Sequence, residues 1–494
     1  MSSSSASGSG LRQGRLGAAQ LALFTVAASA PLTVLGGAVT TMYAVSGNVG
    51  AALAYPLLAV VLGVFMVGYA AMSRFVGSPG AFHTYVANGL GRAGGVAGSF
   101  VALLAYNAVQ ISLYGLFGAV VADFSAARLG VDQPWWVWSL VALAVVGTLG
   151  VRRVDLNAVL LATLLVLECL VILVFDLVAF GSPAEGSVTQ AGLDPDNLFA
   201  AGFGGVLVLA VVSFTGIESG PLYSDEVYDP RRTVAWAGYL ALAFTGGCYA
   251  LSAWGLTVVT GPAQTPAATA TAGPRAVFDV LAEYAHRTVA DLGYVLFAAS
   301  ALAALLFFHN GVARHLFGLG RERLLPAYLR RTGIRTGAPV AGSLTQSVLA
   351  LGVVLGFVLA DRDPVFHLFT WLSGVAAVGL VLLMLLTSAA VVGFFRGRPE
   401  PGVNLWQRRV APGMATVLLL GVLVVLVVDV DSLVAPDDPS YLAWLLPGLV
   451  AVTALFGLGW GLVLRALRPA VYAAVGGGPA QVAPGEGAEP SLSR

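Results

Sequence analysis

The chain has 494 residues, of which 58% are hydrophobic and only 10% are charged. Soluble proteins average about 25% charged residues, so this composition excludes a soluble multidomain protein and indicates an all-α polytopic membrane protein. The formal net charge is zero, which gives the chain no global attraction for nucleic acid.

All 25 basic residues are arginine, and alanine, glycine, valine and leucine are abundant. This usage is typical of a GC-rich bacterial gene, so the expected location is the bacterial cytoplasmic membrane. The two cysteines, Cys169 and Cys248, lie inside apolar runs, where we expect buried small hydrophobes rather than a disulfide. The sequence has no metal-ligand spacing, phosphate-binding loop or hydrolase motif, so no cofactor, metal site or catalytic residue is expected.

Long apolar runs recur along the chain, and each is close to or above the length of about 20 residues that crosses a bilayer. Residues 1–16 and 468–494 are rich in small residues and are predicted to be disordered tails. Residues 17–467 form the predicted domain of twelve membrane helices. The predicted spans are Gly17–Ala44, Gly50–Arg74, Gly94–Phe124, Pro134–Gly150, Asn157–Gly181, Leu198–Ser224, Thr233–Thr260, Leu292–Phe317, Pro339–Ala360, Val365–Phe395, Ala411–Val430 and Tyr441–Leu467.

The arginines predict the orientation of the spans. If the N-terminus is cytoplasmic, the outer loops hold only Arg128, Arg275, Arg287 and Arg362, and the other arginines lie on the cytoplasmic side. Loops that face the cytoplasm are enriched in basic residues. Twelve spans return the C-terminus to the same side, so both tails are expected to be cytoplasmic.

The first span is interrupted near its middle by Ala30, Pro31, Leu32 and Thr33, and then by Gly36 and Gly37. A helix that breaks at membrane depth is tolerated only where its freed backbone faces protein or a water-filled cavity. A packed kink with small residues is the alternative interpretation.

The third and fifth spans carry polar residues. Asn107 and Gln110 share one face of the third span with Tyr106 and Tyr114, and this stripe predicts either a cavity wall or interhelical hydrogen bonds. Near the middle of the fifth span, Glu168 could take up and release a proton during transport, or it could brace two helices.

Asp176 lies nearer the outer end of the fifth span, where we expect its carboxyl to reach interfacial water. The apolar composition predicts that a lipid bilayer surrounds these spans.

The sixth span is the most strongly interrupted. It runs through Ser213, Phe214, Thr215, Gly216, Ile217 and Glu218, with Ser219, Gly220 and Pro221 following. A carboxylate at membrane depth is a candidate functional group. Glu218 is expected to neutralise an amine or bind a proton, and the alternative is that it hydrogen-bonds the broken backbone.

The first and sixth spans are five spans apart, so the second enters the membrane from the opposite side. Two interrupted spans in corresponding positions predict an inverted-topology repeat whose binding site lies where the breaks meet. The repeats are expected at about 17–181 and 198–395, with two extra helices at about 411–467.

The outer loop 261–289 begins as an Ala/Thr/Pro linker and continues as an amphipathic helix through Val277, Phe278, Leu281 and Tyr284. This helix could be a lid or an ordinary surface helix. In the eighth span, His309 is expected to be packed and hydrogen-bonded, and Asn310 is, together with Glu168, a candidate coupling residue.

Three segments resemble the amino acid–polyamine–organocation (APC) superfamily of secondary transporters, over roughly Gly17–Arg398. The sixth-span motif, continued by Asp225–Thr233, is similar to the family's "SF-x-G-x-E" and "DP-x-R" elements. The other two similar segments are Gly77–Tyr85 before the third span and Asn310–Pro326 at the end of the eighth.

The resemblance implies a LeuT-like bundle of five-plus-five inverted repeats with two additional helices. It implies transport of amino acids or related amines by alternating access, with proton or sodium as the coupling ion. Phe214 is the nearest match to the aromatic gate of the family. The sequence does not indicate an oligomeric state.

The sequence departs from the family pattern at two positions. The first helix has Ala30-Pro-Leu-Thr33 where members have a "G-x-G-x-G" run whose amides hold an α-carboxylate. Glu168 stands where some members have a lysine that substitutes for sodium. A membrane-embedded transferase acting on a lipid-linked substrate and a channel are the alternative functions, but neither a polar catalytic cluster at one membrane face nor a selectivity ring is visible.

Overall fold

The computed structural model describes residues 18–76, 82–152, 158–218, 230–333, 337–396, 400, 402–434 and 438–477. Within these ranges the chain is all helical, with 84% helix and no strand. Twelve apolar helices of this part of the chain are numbered in chain order. They are α1 (Leu21–Ser46), α2 (Val49–Met72), α3 (Arg92–Leu129), α4 (Trp135–Arg152), α5 (Val159–Gly181), α6 (Phe203–Ser213), α7 (Ala235–Thr260), α8 (Arg287–Arg321), α9 (Val340–Leu359), α10 (Pro364–Phe395), α11 (Trp406–Val428) and α12 (Leu442–Leu467).

Eleven of these helices, within the described ranges, are long and apolar enough to cross a membrane, and α6 is shorter. The predicted sixth span reached Ser224, but residues 219–229 lie outside the described part of the chain. The structure therefore supports a polytopic membrane protein, and the predicted count of twelve complete spans remains a prediction.

The predicted bounds of the eleven long spans agree with the helices to within about five residues. The largest differences are at the end of α3, which is Leu129 rather than Phe124, and at the starts of α8 and α11, which begin at Arg287 and Trp406 rather than Leu292 and Ala411. Hydropathy does not detect such polar first turns. The turn at Arg287 is stabilised by His286, whose Nδ1 accepts a hydrogen bond from the Thr288 N–H at 3.1 Å.

The long helix α3 lies at the centre and packs against α4, α8, α10 and α12. Its contact with α12 depends on small residues. A Cβ added at Gly457 would lie 2.7 Å from Cα of Ala97, and one added at Gly461 would lie 2.9 Å from Cα of Ala93. Two glycines four residues apart thus let the helices approach closely, as is common in membranes.

Two short helices cover the C-terminal half of α1. The predicted linker contains the helix Thr265–Ala272, with Thr265 and Thr269 buried, so the expectation of an irregular linker was wrong there. The predicted amphipathic helix is Ala276–Tyr284, and it packs against α1, α5 and α8. Phe278 is fully buried, while Tyr284 is exposed.

Polar contacts tie α11 and α12 to the other helices. The Asp429 carboxylate at the end of α11 accepts a hydrogen bond of 2.6 Å from the N–H of Gly204. This bond satisfies one of the amides that a helix start leaves free. Arg362, before α10, forms an ion pair of 2.7 Å with Asp438, before α12.

The predicted disordered C-terminal tail starts too early in the sequence, at residue 468. Residues 468–477 include the helix Pro469–Ala474, and Val475 is buried with Ala87 and Leu464. The rest of that tail, the N-terminal tail 1–16, residues 77–81 of the loop motif and the Asp225 segment of the sixth-span motif lie outside the described residues.

The α3–α12 contact gives a prediction about stability. Gly457→Leu should lower the free energy of unfolding by about 1–3 kcal/mol, because the side chain overpacks the backbone of α3. The measurement is thermal unfolding of the purified protein in detergent.

Gly459→Leu on the same helix is the matched control, since a Cβ there meets nothing within 4 Å. Equal effects of the two substitutions would show that the glycine contact does not hold α12 in place.

Candidate functional site

The break in α1 is at Ala30, which follows the inner segment Ala18–Ser29 and adopts φ 51° and ψ 70°. A residue before proline avoids the helical region, and Pro31 has no N–H to continue the ladder. The freed N–H of Leu32 donates a hydrogen bond of 3.2 Å to Oε2 of Glu168 on α5. Glu168 therefore caps the start of the outer half of α1.

The break in α6 follows Ser213, where the helix ends in a turn. Gly216 adopts φ 106°, which a residue with a side chain rarely does. Its N–H donates a hydrogen bond of 2.9 Å to Oε2 of Glu218. The Tyr106 hydroxyl donates at 2.7 Å to the other oxygen, and the Tyr69 hydroxyl donates at 3.2 Å to the Glu218 carbonyl. The geometry matches the alternative role, in which Glu218 bonds the broken backbone.

A cavity of about 40 Å³ lies between the two breaks. The hydroxyls of Thr33 and Thr215 are buried here and have no hydrogen-bond partner among the residues that the structure describes. Ser29 and Ser213 also line the cavity, but each hydroxyl already bonds a carbonyl of its own helix. The complete lining is Ser29, Ala30, Thr33, Val34, Ala38, Val109, Leu113, Leu116, Val212, Ser213, Thr215, Ala304, Phe308 and Phe369.

The predicted residues of α1 divide into two groups. Ala30 and Thr33 line the cavity, and Pro31 and Leu32 lie buried in the turn beside it. Gly36 and Gly37 lie outside this lining, in a π-helical turn, Val34–Val39. A Cβ at Gly37 would collide with Leu116, and one at Gly36 would come within 3.0 Å of Phe297. These two glycines serve close packing rather than the cavity surface.

In α6, Ser213 and Thr215 line the cavity, whereas Phe214 and Ile217 are buried outside this lining. The Phe214 ring packs 6.1 Å from Tyr55 of α2 and 6.4 Å from Tyr249 of α7. The structure thus brings together the hydroxyls predicted on the two breaks, but it directs the predicted gate aromatic toward α2 and α7.

Asn107 and Gln110 are buried and do not line the cavity. The Asn107 amide donates to the Leu103 carbonyl. Gln110 accepts from the Gln346 amide and lies 3.2 Å from Nδ1 of His309. The interhelical-bond interpretation of the α3 stripe is therefore the one that the geometry supports for Gln110.

His309 is packed and hydrogen-bonded as expected, since its Nε2 lies 2.7 Å from the Ser343 hydroxyl. The neighbouring Asn310 is partly exposed and lines neither of the cavities beside the breaks. Nothing in the structure links Asn310 to Glu168.

Glu168 is buried in the membrane and lines a second, smaller cavity with Ser300 of α8. This cavity lies on the other side of the α1 break, since Ala27 also lines it. Asp176, two turns farther along α5, is only 6% exposed and faces α7 near Gly255. The expectation that Asp176 reaches interfacial water was wrong, because α7 covers it.

Sequence reasoning missed two aromatic residues of the cavity, Phe308 on α8 and Phe369 on α10. Both lie inside long apolar runs, where nothing distinguishes them from lipid-facing residues. Tyr106 was predicted within the polar stripe, but its bond to Glu218 was not. The distance of 112 residues between the partners hides such a contact from local patterns.

Comparison with known proteins agrees with this architecture. The amino acid permease family matches residues 19–456 of the chain. The chain is also similar to proteins described as uncharacterized transporters in Mycobacterium bovis and in two strains of Mycobacterium tuberculosis. Each is 25% identical over 289 residues, which cover 56% of this chain and 61% of the relative.

The matched segment is less than two thirds of the length of these relatives, so they support only the general class of protein. The family match covers nearly the whole chain and indicates a multi-pass membrane transporter rather than an enzyme. This chain therefore belongs to the amino acid permease family of the APC superfamily.

Proposed function

We propose that the protein is a secondary active transporter that moves amino acids or related amines by alternating access. The observation that carries this proposal is the meeting of two broken helices at one cavity. Transporters commonly bind substrate near the bilayer centre between such breaks. The unpartnered hydroxyls of Thr33 and Thr215 supply polar groups that a bound molecule can satisfy.

The proposed site lies between Ala30–Gly37 and Ser213–Glu218, with helices α1 and α6 as equivalent elements of a LeuT-like five-plus-five repeat. The buried hydroxyls at the two breaks favour a binding site here over a simple kink. A kink stabilised by small residues would bury its side chains against partners, whereas two hydroxyls here face a cavity without a partner.

The cavity of about 40 Å³ is far smaller than the 300–1,000 Å³ or so of typical ligand pockets. Helices must therefore move apart to admit an amino acid or amine, which is the expectation for alternating access. On the outer side, the helix Ala276–Tyr284 presses Phe278 against Gly36 and Phe297. We propose that this helix is part of the outer gate.

Glu168 is the proposed coupling residue, with Asn310 as a second candidate. The carboxyl of Glu168 bonds the amide exposed by the α1 break, so a change of its protonation alters a contact at the site. A permanent brace between α1 and α5 is the alternative. In bilayers such interhelical bonds contribute only about 0.6 kcal/mol on average.

The proposed setting is the bacterial cytoplasmic membrane with both termini in the cytoplasm. The arginine distribution supports this orientation, because only four arginines fall in the loops assigned to the outer side.

Reconstituted transport tests the function. In proteoliposomes, uptake of labelled amino acids or amines should saturate with concentration and should require a proton or sodium gradient. Empty liposomes are the control. Flux that rises without saturation would favour a channel, and a chemically altered substrate without net uptake would favour a transferase.

The site is tested by two substitutions. Gly216→Leu should abolish substrate binding, since a residue with a side chain rarely adopts the φ of 106° on which this turn depends. Thr215→Val should weaken binding about tenfold with little loss of stability, because its hydroxyl has no partner within the described protein. Ligand-induced thermal stabilisation measures both.

Gly352→Leu on α9 is the matched control, because a Cβ there meets nothing within 4 Å. Normal binding by both site variants would mean that the substrate binds elsewhere.

Glu168→Gln tests coupling, because it keeps the shape and the acceptor for Leu32 but cannot titrate. If Glu168 carries the coupling proton, uptake by this variant should lose its pH dependence and its response to a proton gradient. Asp176→Asn on the same helix is the control. Retention of both properties by Glu168→Gln would identify Glu168 as a brace.

A further inference from the structure

We infer that the substrate is an apolar primary amine without a carboxylate. This inference depends on the proposed function and narrows its substrate class. It follows from what already occupies the polar groups of the two breaks, and from what lines the space between them.

Two backbone donors that the breaks would offer to a substrate carboxylate are already occupied by the protein. The amide of Leu32 bonds Glu168 at 3.2 Å, and the amide of Gly216 bonds Glu218 at 2.9 Å. Both acceptors are carboxyl groups of the chain itself. To use either amide, a substrate carboxylate would have to displace one of these acids and would then lie beside it, which like-charge repulsion disfavours when the acid is ionised.

The charge around the cavity also favours a cationic substrate. None of the described residues that line the cavity is basic, while Glu168 and Glu218 bond the turns that border it. The inner segment of α1 and the helix α6 both end at the cavity, at Ser29 and Ser213. The C-terminal ends of helices carry partial negative charge.

An ammonium group fits the free polar atoms. It has three N–H donors and no acceptor, and the hydroxyl oxygens of Thr33 and Thr215 can each accept one hydrogen bond. Both threonines are at least nine-tenths buried and lack a partner. One ammonium between the two breaks would satisfy both.

The remainder of the cavity determines which hydrocarbon groups the amine can carry. Apart from Ser29 and Ser213, its other walls are apolar side chains of α1, α3, α6, α8 and α10, including Val109, Leu113, Phe308 and Phe369. A branched aliphatic or aromatic body would bury apolar surface there. A second ammonium, as in a diamine, would lie against these apolar walls, and burying it there would be unfavourable.

The experiment compares pairs of ligands that differ only by the carboxylate. The pairs are isobutylamine and valine, isoamylamine and leucine, and phenethylamine and phenylalanine, with cadaverine as the diamine control. Affinity is measured by thermal shift on the purified full chain and by competition for uptake in proteoliposomes. Each monoamine should bind about tenfold or more tightly than its amino acid, and cadaverine should bind more weakly than the monoamines.

Glu168→Ala tests the cause. It frees the Leu32 amide and removes a negative group, so the preference for phenethylamine over phenylalanine should fall about tenfold or more. Asp176→Asn, which changes a buried carboxyl on the same helix, should leave the preference unchanged. An unchanged preference in folded Glu168→Ala would overturn the role given to Glu168.

The comparison of amines with amino acids on the unmodified protein tests the inference even if Glu168→Ala does not fold. If all three amino acids bind more tightly than their amines, the amine inference is wrong and the proposed transporter stands. If neither class is bound or taken up, the proposed function fails and the inference fails with it.

Discussion

The structure depends on how a membrane helix can be interrupted without leaving its backbone unsatisfied. An unpaired amide in the hydrocarbon core costs several kcal/mol, so each break must bring a partner with it. Here the partners are two glutamates, one from a different helix and one two residues along the same chain. The same two contacts hold the breaks open and set the charge around the cavity. One requirement therefore accounts both for the architecture of the breaks and for the carboxyl groups beside the cavity.

This requirement explains why carboxyl groups occur at depths where they are otherwise unfavourable. Glu218 receives three bonds through its side chain and carbonyl, two of them from tyrosines on α2 and α3. Such a satisfied network positions the turn after α6 against two other helices. Glu168 has fewer contacts and borders a small cavity, so it has more freedom to change its bonding. The two acids are thus suited to different tasks, one to fixing the turn and one to responding.

Much of the fold was predictable because membrane spans depend on length and hydropathy alone. The break positions were predictable as well, since Pro31 and Gly216 act locally on the backbone. Other features depended on tertiary contacts that local patterns do not contain. Spacing placed Gln110 on a face of α3 but could not tell that α9 lies against that face. Gly36 and Gly37 suggested exposed backbone, yet glycine serves close packing equally well, and Leu116 fills the space.

The bond between Asp429 and Gly204 has a mechanical consequence for the transport cycle. It ties the outer end of α6 to α11, and separating a charged hydrogen bond of this kind costs about 1.5–3 kcal/mol. The other end of α6 leads into the turn at Gly216, which Glu218 holds against α2 and α3. Because it is held at both ends, α6 is suited to stay in place while neighbouring helices move. In the alternating access that we propose, we therefore expect α1 to move relative to a stationary α6.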